Sequence, residues 1–348
     1  MAKLRSIHIK RFKNIRDAPL NLGDMNVIVG SNNSGKSSIL QALHFTIGAI
    51  QSIFLENRLR GIGKQTYTVD PNKLIYVPSQ DVYALGNGGR LWEQADKSVQ
   101  VELGLSTGEN LSVSMLKGRN RNIQIVLSDV AIARRIAGLE QPFTIFTPGL
   151  AGIAKSEQYV SDGVLLRTIA RGDANLVLRN TLLRLWTESQ DNEKWLNFVN
   201  DFTEMFPGIG IAMHFDARTD ETITAVVVNF NDGANIPLEL SGQGVLQTIQ
   251  ILSYIHCFAP KIVVLDEPDS HLHPNNQRLL CSLLHTISET RNVQIILSTH
   301  SRHILDSLRG IANILWAHDG GIDVAADGSD IAILLDLGAL DVKERIGH

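Results

Sequence analysis

The sequence predicts an α/β fold built around a parallel sheet that is covered on both faces. Two short segments, the wholly apolar 262–265 and the largely apolar 293–297, flank a stretch of helical periodicity at 274–287. Strands buried on both faces and alternating with helices are typical of parallel sheets. A third predicted strand, at 20–30, contains the apolar residues Met25, Val27, Ile28 and Val29 and precedes a helical pattern at 36–47. Because these units lie in both ends of the chain, one core is expected to be assembled from both.

The composition limits the class of protein. With 348 residues, of which 44% are hydrophobic, the chain can bury a sizeable core, and its length suggests about two domains or lobes. A net charge of −4 excludes a small, strongly basic nucleic-acid module but allows local basic patches. Two cysteines exclude a disulfide framework. No signal-peptide pattern or membrane-length apolar run is present, so we expect a cytoplasmic protein without a membrane partner.

The middle of the chain predicts an antiparallel meander followed by a helical region. A first strand is expected at 6–12 and a short strand-like piece at 74–77. Apolar and polar residues then alternate in three segments separated by polar turns, which is typical of strands with one buried face. These segments are 99–105, 111–116 and 123–127. Apolar residues at helical spacing follow, most clearly at 176–186 and 194–206.

The patterns divide the chain into three parts. Residues 1–128 would form the N-terminal half of the core with the meander, 129–208 a helical lobe, and 209–348 the C-terminal half. The two halves of the core would therefore be separated in sequence by the lobe. In the last part we expect strands at 209–215 and 222–229 and helices at 244–258 and 330–340.

A phosphate-binding loop is predicted at 30–37, which reads Gly-Ser-Asn-Asn-Ser-Gly-Lys-Ser and matches G-x-x-x-x-G-K-[ST] between a strand and a helix. Backbone N–H groups at such a helix start form an anion site. Lys36 would reach the β and γ phosphates, and the Ser37 hydroxyl would bind Mg²⁺. The expected nucleotide-binding residues are Gly30, Asn32, Asn33, Ser34, Gly35, Lys36, Ser37 and Ser38.

Catalytic groups are expected where two of the apolar strands end. Asp266 and Glu267 directly follow the strand 262–265, at the edge of a parallel sheet where ligands bind. Asp266 would bind Mg²⁺ through water, and Glu267 would orient and deprotonate the attacking water. His300 follows the neighbouring strand and could contact the γ-phosphate and that water.

A second anion site is predicted at Ser241, Gly242 and Gln243, immediately before an apolar helix. One γ-phosphate cannot easily be contacted by two phosphate-binding helix starts of a single chain. The economical arrangement is a head-to-tail pair, in which this signature segment of each subunit covers the nucleotide of the other.

Together these four segments resemble the ABC-class ATPases, and more closely the branch that contains SMC, RecF and OLD-type ATPases. Residues 7–15 are similar to the first strand of that branch, and residues 267–274, Glu-Pro-Asp-Ser-His-Leu-His-Pro, are similar to an OLD-type segment. The resemblance covers about 1–50 and 235–305. It implies a P-loop NTPase fold with an ABC-type ATPase head and a mixed central sheet, with ATP and Mg²⁺ as cofactors. It adds Lys13 and Asn14 to the nucleotide-binding residues.

The chain departs from this family pattern in two places. Its signature reads Ser-Gly-Gln-Gly rather than Ser-Gly-Gly-Gln. The Q-loop could lie near Gln80 or within 143–158, and the second position fits the family topology better. For His271 and His273, a supporting or dimer-loop role is a better interpretation than a metal site.

The resemblance implies a conformational switch that dimerises around ATP and opens on hydrolysis. Its expected settings are DNA repair and bacterial anti-phage defence, where the ATPase would control a separate nuclease or toxin. We favour defence because the lobe is short and the residues after 305 are too few for a fused TOPRIM nuclease. Three alternatives stay open: a RecF-type repair ATPase, a transporter ATPase subunit, and a scaffold that binds ATP without turnover. Basic residues in the loops 58–64 and 117–121 could face DNA or a partner.

Overall fold

The computed structural model describes residues 3–149, 152–187, 193–318 and 320–324. Within these ranges the strands form two six-stranded sheets and one three-stranded sheet. The strands are β1 (Leu4–Phe12), β2 (Ile15–Asn21), β3 (Met25–Val29), β4 (Gln65–Val69), β5 (Val99–Leu105), β6 (Asn110–Lys117), β7 (Ile123–Leu127), β8 (Thr144–Thr147), β9 (Ile209–His214), β10 (Thr224–Asn229), β11 (Asn235–Pro237), β12 (Ile262–Asp266), β13 (Gln294–Thr299), β14 (Asn313–His318) and β15 (Gly321–Val324). The helices are α1 (Lys36–Leu55), α2 (Val130–Ile136), α3 (Asp162–Ala170), α4 (Leu178–Thr187), α5 (Glu193–Met205), α6 (Gln243–Phe258), α7 (Pro274–Arg291) and α8 (Arg302–Leu308).

One six-stranded sheet is antiparallel and contains the predicted meander. Its strand order is β2-β1-β5-β6-β7-β4. The successive pairing of β5, β6 and β7 confirms the meander, and β1 joins it along β5. β4 was not predicted, because only two of its five residues are buried and its polar residues give little apolar alternation.

Two of the predicted strands are wrong. The segment predicted as one strand at 20–30 contains all of β3 but only the last two residues of β2, and these two strands belong to different sheets. The Asn26 side chain accepts a hydrogen bond from the backbone N–H of Gly23 and donates one to its carbonyl oxygen, which holds a turn between the strands. The piece at 74–77 forms no strand. Its Tyr76 is buried and packs on the ring of a histidine of α1, so its apolar character reflects side-chain packing.

The other six-stranded sheet is the mixed central sheet, in the order β15-β14-β3-β13-β12-β8. All neighbouring pairs from β14 to β8 are parallel, and β15 is antiparallel to β14. β8 lies inside the range predicted to be helical. Its four residues are all buried, so they carry no alternation that would reveal a strand. The carboxyl ends of the five parallel strands share one edge, and the loops that follow them meet there.

Helix α1 lies between the two large sheets. Ile262 and Val264 of β12 face the cluster that contains α1, whereas Val263 and Leu265 face the opposite cluster with α6 and α7. By length and composition α1 could cross a membrane, but 78% of its most apolar window is buried inside the protein. Its apolar character is therefore that of a core helix.

The helices of the range 129–208 pack on different parts of the core. The buried residues of α2 belong to the cluster of the antiparallel sheet, whereas those of α3, α4 and α5 belong to the cluster that contains α6. With β8 inserted between α2 and α3, this range also contributes to the central sheet. The division at residues 128 and 208 stays a prediction, and the helix expected at 330–340 lies outside the described residues.

Candidate functional site

The phosphate loop joins β3 to α1 and leaves no room for a side chain at its first glycine. Gly30 has a φ of +154°, and a Cβ there would lie 2.3 Å from the carbonyl oxygen of Ala317. Gly35, at a φ of +110°, caps α1. A Cβ on Gly35 would lie 3.3 Å from Nδ2 of Asn14. The two glycines let the backbone of the loop turn tightly before α1. The first N–H groups of α1 therefore point into the loop, where they can bind an anion.

Lys36 is buried, and its side chain folds back onto the phosphate loop. Its Nζ donates hydrogen bonds of 2.9 Å to the carbonyl oxygens of Gly30 and Ser31. The same Nζ lies 3.4 Å from Nδ1 of His300. The ammonium charge is thus fixed over the loop, where it can attract anionic phosphates.

Ser37 and Asp266, the two predicted Mg²⁺ ligands, are in direct contact. The Ser37 hydroxyl donates a 3.0 Å hydrogen bond to Oδ1 of Asp266. Ser298 donates a second bond, of 2.6 Å, to the same oxygen. A hydroxyl beside a single carboxylate is a donor set that fits Mg²⁺, which prefers oxygen ligands and takes the rest from water and substrate phosphates.

Glu267 and His300 both line the cavity, and their side chains are in direct contact. His300 Nε2 lies 2.6 Å from Oε1 of Glu267. The Glu267 backbone is in the left-handed region, with a φ of +50°. Its N–H donates to the carbonyl and hydroxyl oxygens of Ser298, and Nε2 of Gln247 donates to its carbonyl oxygen. Main-chain contacts therefore fix this strained residue, while its side chain, 40% exposed, stays open to water.

A cavity of about 240 Å³ lies over these groups. Every residue that lines it belongs to the predicted site. The lining consists of Asn14, Asn32, Asn33, Gly35, Lys36, Ser37, Ser38, Glu267 and His300. Residues from the two ends of the chain thus meet in one cavity, as the motif order predicts.

Some predicted nucleotide-binding residues lie outside this lining. Gly30 lies beneath Lys36 and accepts its hydrogen bond. The hydroxyl of Ser34 is buried and has no hydrogen-bond partner among the described residues. Lys13 turns toward α1, where its Nζ donates to Oε1 of Gln41 at 2.6 Å, and burial lowers the pKa of its ammonium. Asn14, by contrast, lines the cavity and donates to the carbonyl oxygen of Asn33 at 3.2 Å.

The signature segment lies at the start of α6 and does not line the cavity. Gly242 is the N-cap residue, and it and Gln243 are exposed. The hydroxyl of Ser241 is buried without a hydrogen-bond partner among the described residues. This sixteen-residue helix therefore has an exposed start, where the first N–H groups lack partners within the helix, as at the helix starts that bind anions.

Ser298, which was not predicted from the sequence, connects the two acidic residues. It is fully buried at the end of β13, where it bonds both Asp266 and the N–H of Glu267. A hydroxyl at the end of an apolar strand, beside the acidic strand, was the available signal. A second buried contact lies behind it, where Thr299 donates to Oδ1 of Asp269 at 2.8 Å. Burial raises the pKa of the Asp269 carboxyl.

The two histidines of the segment 267–274 do not form a metal site with other described residues. No group of three or more His, Cys, Asp or Glu side chains that could hold a metal is found in the described ranges. His273 instead caps α7, accepting a hydrogen bond from the N–H of Asn275. The Q-loop assignment stays a prediction. β8, at the start of the favoured segment 143–158, is the neighbour of β12, and a Cβ on Gly149 would lie 3.7 Å from the carbonyl oxygen of Asp266.

The fold and this site together define a P-loop ATPase. Residues 2–82 and 177–305 match the family described as the AAA ATPase domain, and these ranges make up more than half of the chain. The chain belongs to this family and is an ATPase. The expected ABC-class ATPase of the SMC/RecF type is thereby confirmed.

Similar proteins agree with this assignment. An "ATP/GTP phosphatase" of Helicobacter pylori is 22% identical over 340 residues, covering 88% of this chain and 87% of that protein. The DNA replication and repair protein RecF of Shewanella piezotolerans is 54% identical over 43 residues, which are 12% of each chain. The Smc head domain bound to the C-terminal domain of ScpA, from Pyrococcus furiosus, superposes with a TM-score of 0.50 at 13% identity. That alignment covers 97% of this chain and all of the Smc chain, and it shows the shared fold.

Proposed function

We propose that the chain hydrolyses ATP in the phosphate-loop cavity and that two copies close around the nucleotide as a conformational switch. The observation that supports this most directly is the convergence of Lys36, Glu267 and His300 in one cavity. The name of the Helicobacter pylori relative, a phosphatase of ATP and GTP, agrees with the first half of the proposal.

In this proposal each group of the cavity has its own role. Lys36 and the loop N–H groups bind the β and γ phosphates. Ser37 and Asp266 would hold Mg²⁺, which neutralises phosphate charge when bound. Glu267 accepts a proton from the attacking water, since its side chain is open to solvent in the cavity. His300 bonds Glu267 and lies near Lys36, so it orients the base beside the terminal phosphate.

The position of the signature segment outside the cavity supports the proposed dimer. Ser241, Gly242 and Gln243 do not line the cavity of their own chain. An exposed helix start is a site for anions, and a second copy can supply the phosphate. We therefore assign these three residues to the nucleotide of the partner subunit.

The experiment that tests the proposal is a mass measurement in solution on Glu267→Gln. Glutamine keeps the size of the side chain but cannot take the proton, so ATP should accumulate in the closed pair. We expect the mass of Glu267→Gln roughly to double with ATP and Mg²⁺, and Lys36→Ala to keep its mass.

Two results would contradict the proposal. A mass and shape of Glu267→Gln unchanged by ATP would overturn the dimer. Wild-type turnover no higher than that of Glu267→Gln would remove the catalytic role and favour an ATP-binding scaffold.

For the biological setting we propose anti-phage defence in the cytoplasm, with a separate nuclease or toxin under the control of the switch. The support is the OLD-like segment 267–274. The local identity to RecF favours DNA repair as the second candidate, with DNA as a direct ligand. Co-purification from native cells would separate the two, because a nuclease or toxin supports the first and recombination proteins the second.

A further inference from the structure

A buried glutamine, Gln277, lies between the two loops that carry Glu267 and His300. The first loop, the acidic turn, consists of residues 267–272 and follows β12. The second, the histidine loop, consists of residues 299–301 at the end of β13. Gln277 belongs to the first turn of α7 and is 9% exposed. It does not line the phosphate-loop cavity, so any effect on the chemistry must pass through the residues that it contacts.

The side-chain amide of Gln277 uses both its nitrogen and its oxygen on these two loops. Its Nε2 donates to the carbonyl oxygens of Asp269, at 3.2 Å, and Leu272, at 3.0 Å, both in the acidic turn. Its Oε1 accepts a 2.6 Å hydrogen bond from the hydroxyl of Ser301 in the histidine loop. A rotated amide would bring Oε1 against two carbonyl oxygens, so these contacts fix the orientation of the side chain.

A second link between the two loops runs beside this amide. The hydroxyl of Thr299 donates to Oδ1 of Asp269 at 2.8 Å and accepts a hydrogen bond from the N–H of Ser301, also at 2.8 Å. Thr299 and Asp269 are both buried. Buried side chains that are hydrogen-bonded to one another act together and stabilise one relative position of the groups that they join. The acidic turn and the histidine loop are therefore held against each other by side chains that do not line the cavity.

The contact between the two reactive side chains depends on this relative position. Nε2 of His300 lies 2.6 Å from Oε1 of Glu267. Asp269 and Leu272 follow Glu267 by two and five residues, and Ser301 directly follows His300. A displacement of the turn against the loop would therefore change the distance between the imidazole and the carboxylate. Misplacing a reacting group by about 1 Å can lower a rate about 100-fold.

We propose that Gln277 is a positioning residue for ATP hydrolysis, which keeps Glu267 in contact with His300 by tying the acidic turn to the histidine loop. The inference rests on the proposed function, because it takes Glu267 as the base that activates water. It predicts an effect on the rate of the chemical step and none on the binding of ATP, since Lys36 and the phosphate loop lie outside these contacts.

The test compares Gln277→Met with a matched control, Gln294→Met, in the full chain. Gln294 is also a buried glutamine, and it lies at the opposite end of β13. Its Nε2 donates to the carbonyl oxygens of Leu4 and Gly23, and its Oε1 accepts from the N–H of Leu4. Both side chains thus donate to two carbonyl oxygens and accept one bond. Methionine keeps the length of the side chain and removes the amide in both variants.

Steady-state ATP hydrolysis and urea unfolding separate positioning from folding. Gln277→Met should lower kcat about 10- to 100-fold and keep KM for ATP within about twofold of the wild-type value. Gln294→Met should keep the wild-type kcat, although both variants should lose similar amounts of stability in urea. Gln277→Glu is a milder change, which keeps the bond to the Ser301 hydroxyl but loses both donors to the acidic turn, and it should also lower kcat at an unchanged KM.

A double variant tests whether the effect passes through Glu267. In Glu267→Gln the base is absent, so adding Gln277→Met should lower the single-turnover rate of ATP hydrolysis no further. An additional loss in the double variant would indicate an effect independent of Glu267 and would overturn the inference.

The other outcomes separate this inference from the proposed function. A wild-type kcat in Gln277→Met overturns the positioning role, and so does a raised KM at an unchanged kcat. Equal losses of kcat in Gln277→Met and Gln294→Met also overturn it, since they indicate a general disturbance of the fold. All of these results leave the ATPase proposal standing, whereas a wild-type protein that does not hydrolyse ATP overturns both proposals.

Discussion

The hydroxyl group of Ser298 contacts both acidic residues of this site. Ser298 accepts a hydrogen bond from the N–H of Glu267 and donates one to Asp266, so one oxygen connects the residue proposed to bind the metal with the residue proposed to activate water. Because Ser298 is fully buried, water cannot replace it. Its removal should therefore disturb both acidic residues and lower folding stability as well as catalysis.

Ser298→Ala is expected to lower kcat of ATP hydrolysis and the apparent affinity for Mg²⁺ by about 10- to 100-fold, the usual cost of removing a group that orients a metal ligand. A Mg²⁺ titration of steady-state ATPase activity measures both. Ser288→Ala is the control, since Ser288 is also buried and bonds Val293 at the opposite end of β13. Wild-type kcat and Mg²⁺ dependence in Ser298→Ala would contradict this role.

At the scale of elements, His44 ties α1 to two later parts of the chain. Its Nε2 donates to the carbonyl oxygen of Ala170, the last residue of α3, and its Nδ1 lies 3.2 Å from Oγ1 of Thr144 in β8. The ring also stacks on Phe146 at 5.4 Å between centroids. Complete burial lowers the pKa of His44 to about 4, so the imidazole is neutral in the folded protein at neutral pH.

This burial predicts a pH dependence of stability. Between pH 6.5 and about 4 the unfolded chain binds a proton at His44 that the folded chain does not. The free energy of unfolding should therefore fall as pH falls through this window, by up to about 3 kcal/mol, and this loss should end below pH 4. His44→Gln should lose less stability over the same range, in urea unfolding at pH 7, 5.5 and 4. His285→Gln, at a half-exposed position of α7, should keep the wild-type slope. Equal slopes for wild type and His44→Gln would refute the assignment.

Elements with a strong local residue pattern can be predicted from the sequence, whereas elements that depend on contacts between distant residues cannot. The phosphate loop, the acidic pair and His300 follow strands with strong local patterns, and these residues meet as expected. β8 has four uniformly buried residues, and its place beside β12 is set by pairing 115 or more residues away in sequence. The side-chain turn at Asn26 that divides 20–30 is equally invisible to periodicity. The features that could not be predicted therefore depend on tertiary contacts.

At the scale of the whole molecule, a buried ionic network connects the helical region to the signature. Arg179 of α4 is 2% exposed, and its Nη2 donates to Oε2 of Glu239 at 2.7 Å, two residues before Ser241. Glu157 accepts hydrogen bonds from the N–H groups of Arg179 and Asn180. A buried charge network of this kind keeps the segment before α6 in one arrangement. The segment that precedes the signature is thus tied to α4.

A dimer with shared sites makes a quantitative prediction for mixed variants. Lys36→Ala disables the phosphate loop, and Gly242→Asp disables the signature by placing a carboxylate where the partner's phosphate would bind. Gly242→Asp should fold, because a Cβ there meets open space and aspartate is a favoured N-cap residue. Each variant alone should be nearly inactive. Half of the dimers in an equal mixture are heterodimers with one intact site of two, so the ATPase rate should recover to about one quarter of the wild-type rate. A mixture no more active than the sum of its components would place the whole active site within one chain.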